Sequence, residues 1–296
     1  MTLRFHKMHS LGNDFVVVDG VTQNVRLNGA EVSWLGDRHR GVGFDQLLLI
    51  LPPTDPEADF YFQIFNADGS EAQQCGNGTR AVALLAQKLG LSAKARLTWQ
   101  SLAGTFTTHY VDAGQIETTM TVPVLELADI PFDTNHAQPV GHPSGFRQFE
   151  LTQKDTTYVV TPVSMGNPHG VVVVDDVLNT DVPCIGALLT EHPAFPERAN
   201  IGFCQIVDDQ FIRLRVFERG TGETQACGSG ACAAVVAATS LGLVHGKIKV
   251  SLPGGKLRIH WAGAGQRVLM TGEATHVFTS EIKVPTQLIE HLPQPQ

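Results

Sequence analysis

Two cysteines stand at matching places in a pattern that occurs twice along this chain. The first copy, residues 66–91, reads NADGSEAQQCGNGTRAVALLAQKLGL, and the second, residues 218–243, reads ERGTGETQACGSGACAAVVAATSLGL. Cys75 is followed by Gly76-Asn77-Gly78, and Cys227 by Gly228-Ser229-Gly230. Glu71, Gln73, Ala81, Ala86, Leu89, Gly90 and Leu91 recur as Glu223, Gln225, Ala233, Ala238, Leu241, Gly242 and Leu243. A free cysteine is most often a small buried hydrophobe, and one such motif alone carries little weight. Two in register, each ahead of an alanine-rich stretch, point to chemistry. Unpaired N–H groups and the positive end of the helix dipole favour negative charge at a helix start. A cysteine there is expected to ionise more readily and to act as a base. A substrate carboxylate can rest on the same N–H groups, because the glycines permit close approach. Removing the proton alpha to that carboxylate pushes charge onto its oxygens, which aligned donors stabilise. Two such thiols facing one cleft would serve opposite faces of one carbon. One thiolate removes the proton and the opposing thiol returns one, the scheme of a two-base racemase or epimerase. The pair titrates as a unit, and no pyridoxal phosphate is needed.

The elements that must position these thiols are duplicated too. Ser10-Leu11-Gly12-Asn13 precedes the apolar run Asp14–Asp19, and Ser164-Met165-Gly166-Asn167 precedes Pro168-His169-Gly170 and Val171–Val174. At the same spacing Gln46 corresponds to Asn200, and at a slightly shorter one Ser101-Leu102-Ala103-Gly104 corresponds to Ser251-Leu252-Pro253-Gly254. So long a period means domain duplication, not a solenoid. Strand signals fall at Leu3–Phe5, Asp14–Asp19, Gln46–Leu51, Phe60–Asn66, Ala95–Trp99, Gln115–Val122 and Gln148–Pro162. They continue at Gly170–Val174, Phe203–Val207, Phe211–Glu218, Lys247–Ser251, Lys256–Trp261 and Arg267–Gly272. Helix signals are Thr79–Leu89 and Ala231–Leu241, each ending on a glycine, with shorter ones at Glu31–Asp37 and Ile185–Glu191. Both long helices are apolar on nearly every side and should be buried. The pattern predicts an α/β chain of two pseudo-symmetric domains, each a curled, mostly antiparallel, barrel-like β-sheet around a central helix. The proline-rich stretch Pro123–Gly145 is the expected boundary. It separates a first half, residues 1–122, from a second, residues 123–272; residues 273–284 read as a strand that returns to complete the first. The final HLPQPQ is expected to fray.

The length of 296 residues suits two ordinary domains. The 29 acidic and 21 basic side chains leave a net charge of −8, which discourages nucleic-acid binding. No run is apolar enough to cross a membrane and the N-terminus does not resemble a secretory signal, so a cytoplasmic location is expected. The five cysteines argue against a disulfide framework and lack zinc-site spacing. Cys184 and Cys204 are expected to fill core or subsurface space, and Cys232 to be a packing residue.

HSLGNDFVVVD, FNADGSEAQQCGNGTR, SMGNPHG, ANIGF and FERGTGETQACGSGACAA resemble, in order and spacing, the motifs of the diaminopimelate epimerase family. The resemblance implies interconversion of LL- and meso-diaminopimelate without cofactor or metal, in lysine and peptidoglycan precursor synthesis. It also implies two α/β domains with the site in the cleft, and a homodimer. By resemblance, Cys75 and Cys227 are the acid/base thiols, and Gly76, Asn77, Gly228 and Ser229 supply N–H donors to the reacting carboxylate. Asn13, Gln46, Asn66, Asn167 and Asn200 match substrate-binding amides, and Glu218 and Arg219 an acidic–basic pair. Arg219 can grip a carboxylate with its planar fork. His169 and Glu218 match positions that adjust thiol protonation. The chain departs from the family at Thr79-Arg80-Ala81-Val82-Ala83, where relatives carry a second cysteine and aromatics; that touches helix packing more than chemistry. It departs again at Gly170, where larger residues are common.

Taken singly, these residues have plainer readings. Asn13 and Asn167 can shape turns, Asn66 and Asn200 can cap or turn, and Gln46 can be an exposed strand polar group. Arg219 beside Glu218 can be a surface ion pair, and His169 a satisfied structural histidine. Other functions are a proline or hydroxyproline racemase on the same scaffold, and an isomerase with a single carboxylic acid as base. A cysteine hydrolase using His169 leaves the duplicate cysteine idle, and a thiol redox sensor would use both thiols by oxidising them to a disulfide, which is expected here only as a side reaction.

Overall fold

The structure is a computed structural model that describes residues 1–73, 75–112, 114–153 and 156–285. HLPQPQ lies outside the described residues. The chain divides into two compact units: Met1–Thr118 with the segment from Glu273, and Thr119–Gly272.

In the first unit the elements are β1 (Thr2–Ser10), β2 (Asn13–Asp19), α1 (Gly29–Gly36), β3 (Gln46–Leu51), β4 (Phe60–Asn66) and β5 (Glu71–Ala72). They continue with α2 (Gly76–Lys88), β6 (Arg96–Ser101), β7 (Gly104–Asp112) and β8 (Gln115–Thr119). The second unit holds β9 (Gln138–Val140), β10 (Gln148–Gln153), β11 (Thr156–Ser164), β12 (Pro168–Val173), α3 (Val182–Thr190), β13 (Asn200–Asp208) and β14 (Phe211–Glu218). After these come β15 (Gly222–Thr224), α4 (Gly228–Ser240), β16 (Lys247–Leu252), β17 (Gly255–His260) and β18 (Leu269–Glu273), and β19 (Thr275–Lys283) then lies against β1.

The two units share one internal topology. In the first, β1–β2 is antiparallel, β2–β3 parallel, β3–β4 antiparallel, β4–β6 parallel and β6–β7 antiparallel. In the second, β11–β12, β12–β13, β13–β14, β14–β16 and β16–β17 repeat that series. Each sheet curls, unclosed, over its central helix. Met8, Phe15, Leu48, Phe62, Trp99 and Ile116 form one core with Ala81, Val82, Leu85 and Ala86 of α2. The opposite sheet face packs Val16, Leu47 and Leu49 against Val32 and Leu35 of α1. This double covering explains the unbroken apolar runs of β2 and β3, since both faces are buried.

Helix ends follow the local chemistry. Leu91 N donates to Ala86 O and Gly90 N to Gln87 O, with Gly90 at φ 66°. Leu243 and Gly242 make the same pair of bonds to Ala238 and Thr239, with Gly242 at φ 74°. This double closure needs a left-handed residue, which glycine adopts without a Cβ penalty.

Four expectations change. Gln148–Pro162 is not one strand but the antiparallel pair β10 and β11. β7 is an additional strand beyond those expected: the Ser101–Gly104 turn that opens it recurs at Ser251–Gly254, but its threonine-rich sequence lacks an apolar run. The Pro123–Gly145 stretch carries short 3-10 turns and β9, which pairs with β10. Finally, α2 is less apolar than its composition implied, with Gln87 and Lys88 exposed and Arg80 buried. Among the described residues, no helix is long and apolar enough to cross a membrane.

Candidate active site

In the first unit, Cys75 caps α2 with an extended backbone, and its Sγ accepts the Gly78 N–H at 3.1 Å. The first helical bond is Thr79 N to Cys75 O, so the Gly76 and Asn77 N–H groups precede any intrahelical acceptor. A Cβ on Gly78 would lie 3.1 Å from that sulfur and 3.1 Å from Leu48 Cδ1, so glycine lets the thiol seat against the helix start.

Asn13 reaches this thiol from the tight turn between β1 and β2. That turn is made by Leu11 at φ 56° and Gly12 at φ 85°. Asn13 Nδ2 donates to Asp45 Oδ2 at 2.9 Å, while its Oδ1 faces Asn77 Nδ2 at 3.4 Å and Cys75 Sγ at 3.9 Å. Asp45 also accepts from Arg38, which grips Asp14 with both Nη atoms. Burial pushes the Asp14 carboxyl up, but Arg38 and Lys7 outweigh it and hold it at about 2. Gln46 and Asn66 are register partners in β3 and β4, and Gln46 Nε2 donates to Asn66 Oδ1 at 3.2 Å. Asn66 Nδ2 in turn donates to Ser70 Oγ at 3.1 Å across the Asn66–Ser70 turn.

In the second unit, Cys227 caps α4 and is 4% exposed. A Cβ on Gly230 would stand 3.2 Å from its sulfur and 3.0 Å from Val216 Cγ2, the same constraint as at Gly78. The thiol's partner differs, however. Cys227 Sγ donates to Glu218 Oε2 at 3.1 Å, with Ser229 Oγ at 3.6 Å. Glu218 Oε1 accepts from Thr224 Oγ1. Burial, then the Glu218 charge and its hydrogen bond, push this thiol well above the usual range, against the opposing pull of Ser229 and Gly230. The lowered value expected at a helix start is therefore overturned for Cys227. Burial and an adjacent carboxylate outweigh the helix dipole.

Asn200 begins β13 beside His169 of the parallel strand β12. Its Oδ1 accepts the Arg219 N–H at 2.9 Å, and Arg219 Nη1 donates to Glu197 O at 3.0 Å. Arg219 and Glu218 form no ion pair among the described residues. Their side chains diverge because Glu218 is committed to Thr224 and Cys227. His169 shares a hydrogen bond with Asn167 Oδ1 at 3.0 Å, and burial, then the Arg219 charge, pull it down to about 3. It is a neutral imidazole. Gly166, at φ 89°, shapes the turn ahead of Asn167.

In each unit the structure thus places polar side chains at the thiol: Asn13 at Cys75, with Asn77 hydrogen-bonded to Asn13, and Glu218 and Ser229 at Cys227. Gln46 pairs with Asn66, Asn200 with Arg219 and His169 with Asn167, and none of these pairs touches a thiol among the contacts described. Sequence reading missed Asp45, Thr224 and Arg80. Thr224 had a signal, since it lies within the second repeat; the Asp45 contact comes from a loop far from Asn13 in sequence. Cys184 is exposed rather than packed, because it sits near the solvent-facing start of α3. Gly170 is filled by its neighbours: a Cβ there would meet Phe195 Cζ at 2.9 Å, so its effect falls on packing against Phe195. No disulfide and no cluster of three or more metal-ligating side chains occurs among the described residues.

The family model described as "Diaminopimelate epimerase" matches residues 5–126 and 161–277. Several solved structures share the fold. A hydroxyproline epimerase from Agrobacterium vitis superposes with a TM-score of 0.65 at 15% identity, covering 95% of this chain and 92% of its own. A PhzF-family phenazine biosynthesis protein from Bacillus anthracis gives 0.64 at 18% identity, covering 96% and 100%. A probable proline racemase from Agrobacterium radiobacter gives 0.64 at 17%, covering 98% and 94%.

Proposed function

We propose, because this chain belongs to the diaminopimelate epimerase family, that it interconverts LL- and meso-diaminopimelate by proton transfer between two thiols, without a cofactor. The contrast between the two sulfurs supports this best. Cys227 donates to a carboxylate and is held protonated, whereas Cys75, which accepts an N–H from Gly78, faces the neutral amide of Asn13. A two-base reaction needs one sulfur ionised and the other protonated at the start. An N–H aimed at sulfur favours the thiolate, and a carboxylate accepting from sulfur favours the thiol.

In one direction, Cys75 as thiolate takes the alpha proton and becomes S–H. The electron pair of the broken C–H bond moves into the carboxylate, giving an enediolate. The N–H groups of Gly76, Asn77, Gly228 and Ser229 stabilise its oxygens. Cys227 gives its proton to the opposite face of the carbon and becomes the thiolate, which completes the inversion. For the next turnover in this direction Cys75 gives its proton to solvent and Cys227 takes one up from solvent, with the Glu218 carboxylate beside Cys227 favouring the protonated sulfur. Asn66, Asn167, Asn200 and Arg219 suit the far end of a substrate that carries both carboxylate and ammonium groups. His169, kept neutral, orients Asn167. A homodimer belongs to the same reading, and sedimentation velocity tests it.

Turnover of LL-diaminopimelate in deuterated water is the test. Deuterium is expected at the alpha carbon of the inverted centre from the first turnover. Retention of the original hydrogen throughout, or unchanged turnover by Cys75→Ala, refutes the mechanism. A parallel assay with L-proline and trans-4-hydroxy-L-proline addresses the second reading, raised by the fold shared with the Agrobacterium proteins.

A further inference from the structure

Arg80, in the first full turn of α2, is completely buried. A buried charge is costly unless its donors find acceptors. Its Nε and Nη2 donate to Ser10 Oγ at 3.1 and 2.8 Å, and Nη2 donates to Asn77 Oδ1 at 2.7 Å. Nη1 lies 3.4 Å from Gly76 O, and Nε 3.4 Å from Glu273 O. Packing alone does not call for this arginine. In the second repeat the same position holds Cys232, fully buried, and α4 needs nothing larger there.

The hydrogen bonds run in one direction from Arg80. Asn77 must turn its oxygen to the guanidinium, which leaves its Nδ2 for Asn13 Oδ1. At the far end, Asp45 accepts from Asn13 Nδ2. A cation that only donates and a carboxylate that only accepts thus dictate both amide orientations. The oxygen of Asn13, not its NH2, is thereby aimed at Cys75. The charged groups around this chain of amides are Arg80 at one end and Asp45, Asp14, Arg38 and Lys7 at the other.

We propose that Arg80 is a positioning residue for the Cys75 site, locking the Asn77 and Asn13 amides so that an acceptor oxygen faces the thiol. This rests on Cys75 being one of the two reacting thiols. With a donor on one side, Gly78 N, and an acceptor on the other, Asn13 Oδ1, this sulfur can hold either protonation state, as a reversible reaction requires. The buried guanidinium also favours the thiolate through its charge.

Alkylation of Cys75 by iodoacetamide, followed by mass spectrometry of its peptide across pH, reads the thiol without relying on turnover. Arg80→Met, checked for folding by circular dichroism, is expected to move the alkylation midpoint to higher pH and lower kcat/KM by roughly 10- to 100-fold. Arg80→Lys keeps the charge but cannot span Ser10 and Asn77 together. It is expected to leave the midpoint near that of the unaltered chain while still lowering kcat/KM about tenfold. A folded Arg80→Met with unchanged alkylation profile and kcat/KM overturns the proposal. Should that variant fail to fold, an Arg80→Lys variant with full kcat/KM overturns it equally. If the unaltered chain does not turn over diaminopimelate, that reading fails on its own, and the alkylation profiles still decide the role of Arg80.

Discussion

Replacing Glu218 by glutamine removes the negative charge that touches the Cys227 sulfur and leaves a side chain of nearly the same shape. At the 3.1 Å separation of Oε2 and Sγ, the repulsion between carboxylate and thiolate is about 1.3 kcal/mol at the dielectric constant of water and about 5 kcal/mol at an effective value of 20. Net contributions of hydrogen bonds to charged groups fall inside that bracket, at about 1.5–3 kcal/mol. The thiolate of Cys227 should therefore become roughly 10- to 100-fold more populated at a given pH below its titration. Burial is the larger cause of its resistance to ionisation and survives the substitution, so the thiol stays above the usual range. The assay is thiolate absorbance near 240 nm against pH, taken as the difference between Glu218→Gln and the double variant that also carries Cys227→Ala. The midpoint should move to lower pH. Turnover that needs Cys227 as proton donor should fall by about 100-fold. Glu218→Asp, which keeps the charge at shorter reach, should fall between the two. A Glu218→Gln midpoint that stays in place or moves upward refutes the account of what holds the proton.

Three further expectations follow from other contacts. Gly78→Ala and Gly230→Ala place a methyl 3.1 and 3.2 Å from the respective sulfurs. Each should lower kcat/KM about tenfold while thermal stability changes little, because alanine's helix preference of about 1 kcal/mol offsets the crowding. His169 is depressed from 6.5 to about 3, so the stability from its neutral form is present above pH 6.5 and lost as pH falls toward 3. Between pH 6.5 and 5, chemical denaturation of the unaltered chain should lose about 2 kcal/mol more than that of His169→Gln; equal slopes would contradict this. Asn28 accepts the Glu31 N–H in the capping box of α1. Asn28→Ala should cost about 1 kcal/mol of stability with turnover intact, as measured by urea unfolding and steady-state kinetics.

Much of the molecule could be read without coordinates, and for local reasons. The duplication is visible as letters in register. The placement of Cys75 and Cys227 at helix starts follows from the glycines that come after them. The helix ends at Gly90 and Gly242 follow from the left-handed conformation that glycine tolerates. Gln148–Pro162 reads as one strand because no glycine or proline interrupts the sequence between β10 and β11. Asn13, Gln46, Asn66, Asn167 and Asn200 were named from their motifs. Their hydrogen bonds were not readable, since these join residues from separate strands and loops.

What only the tertiary structure decided was the electrical state and surroundings of each group. Cys75 and Cys227 share a motif and a capping position, yet one faces a neutral amide oxygen and the other a carboxylate. Arg80 looks in sequence like a polar residue on a helix, and in the fold it is a buried cation ordering two amides. The physical reason is the same in each case. Chain-local propensity sets backbone conformation, while ionisation and side-chain orientation depend on burial and on partners brought in from distant strands.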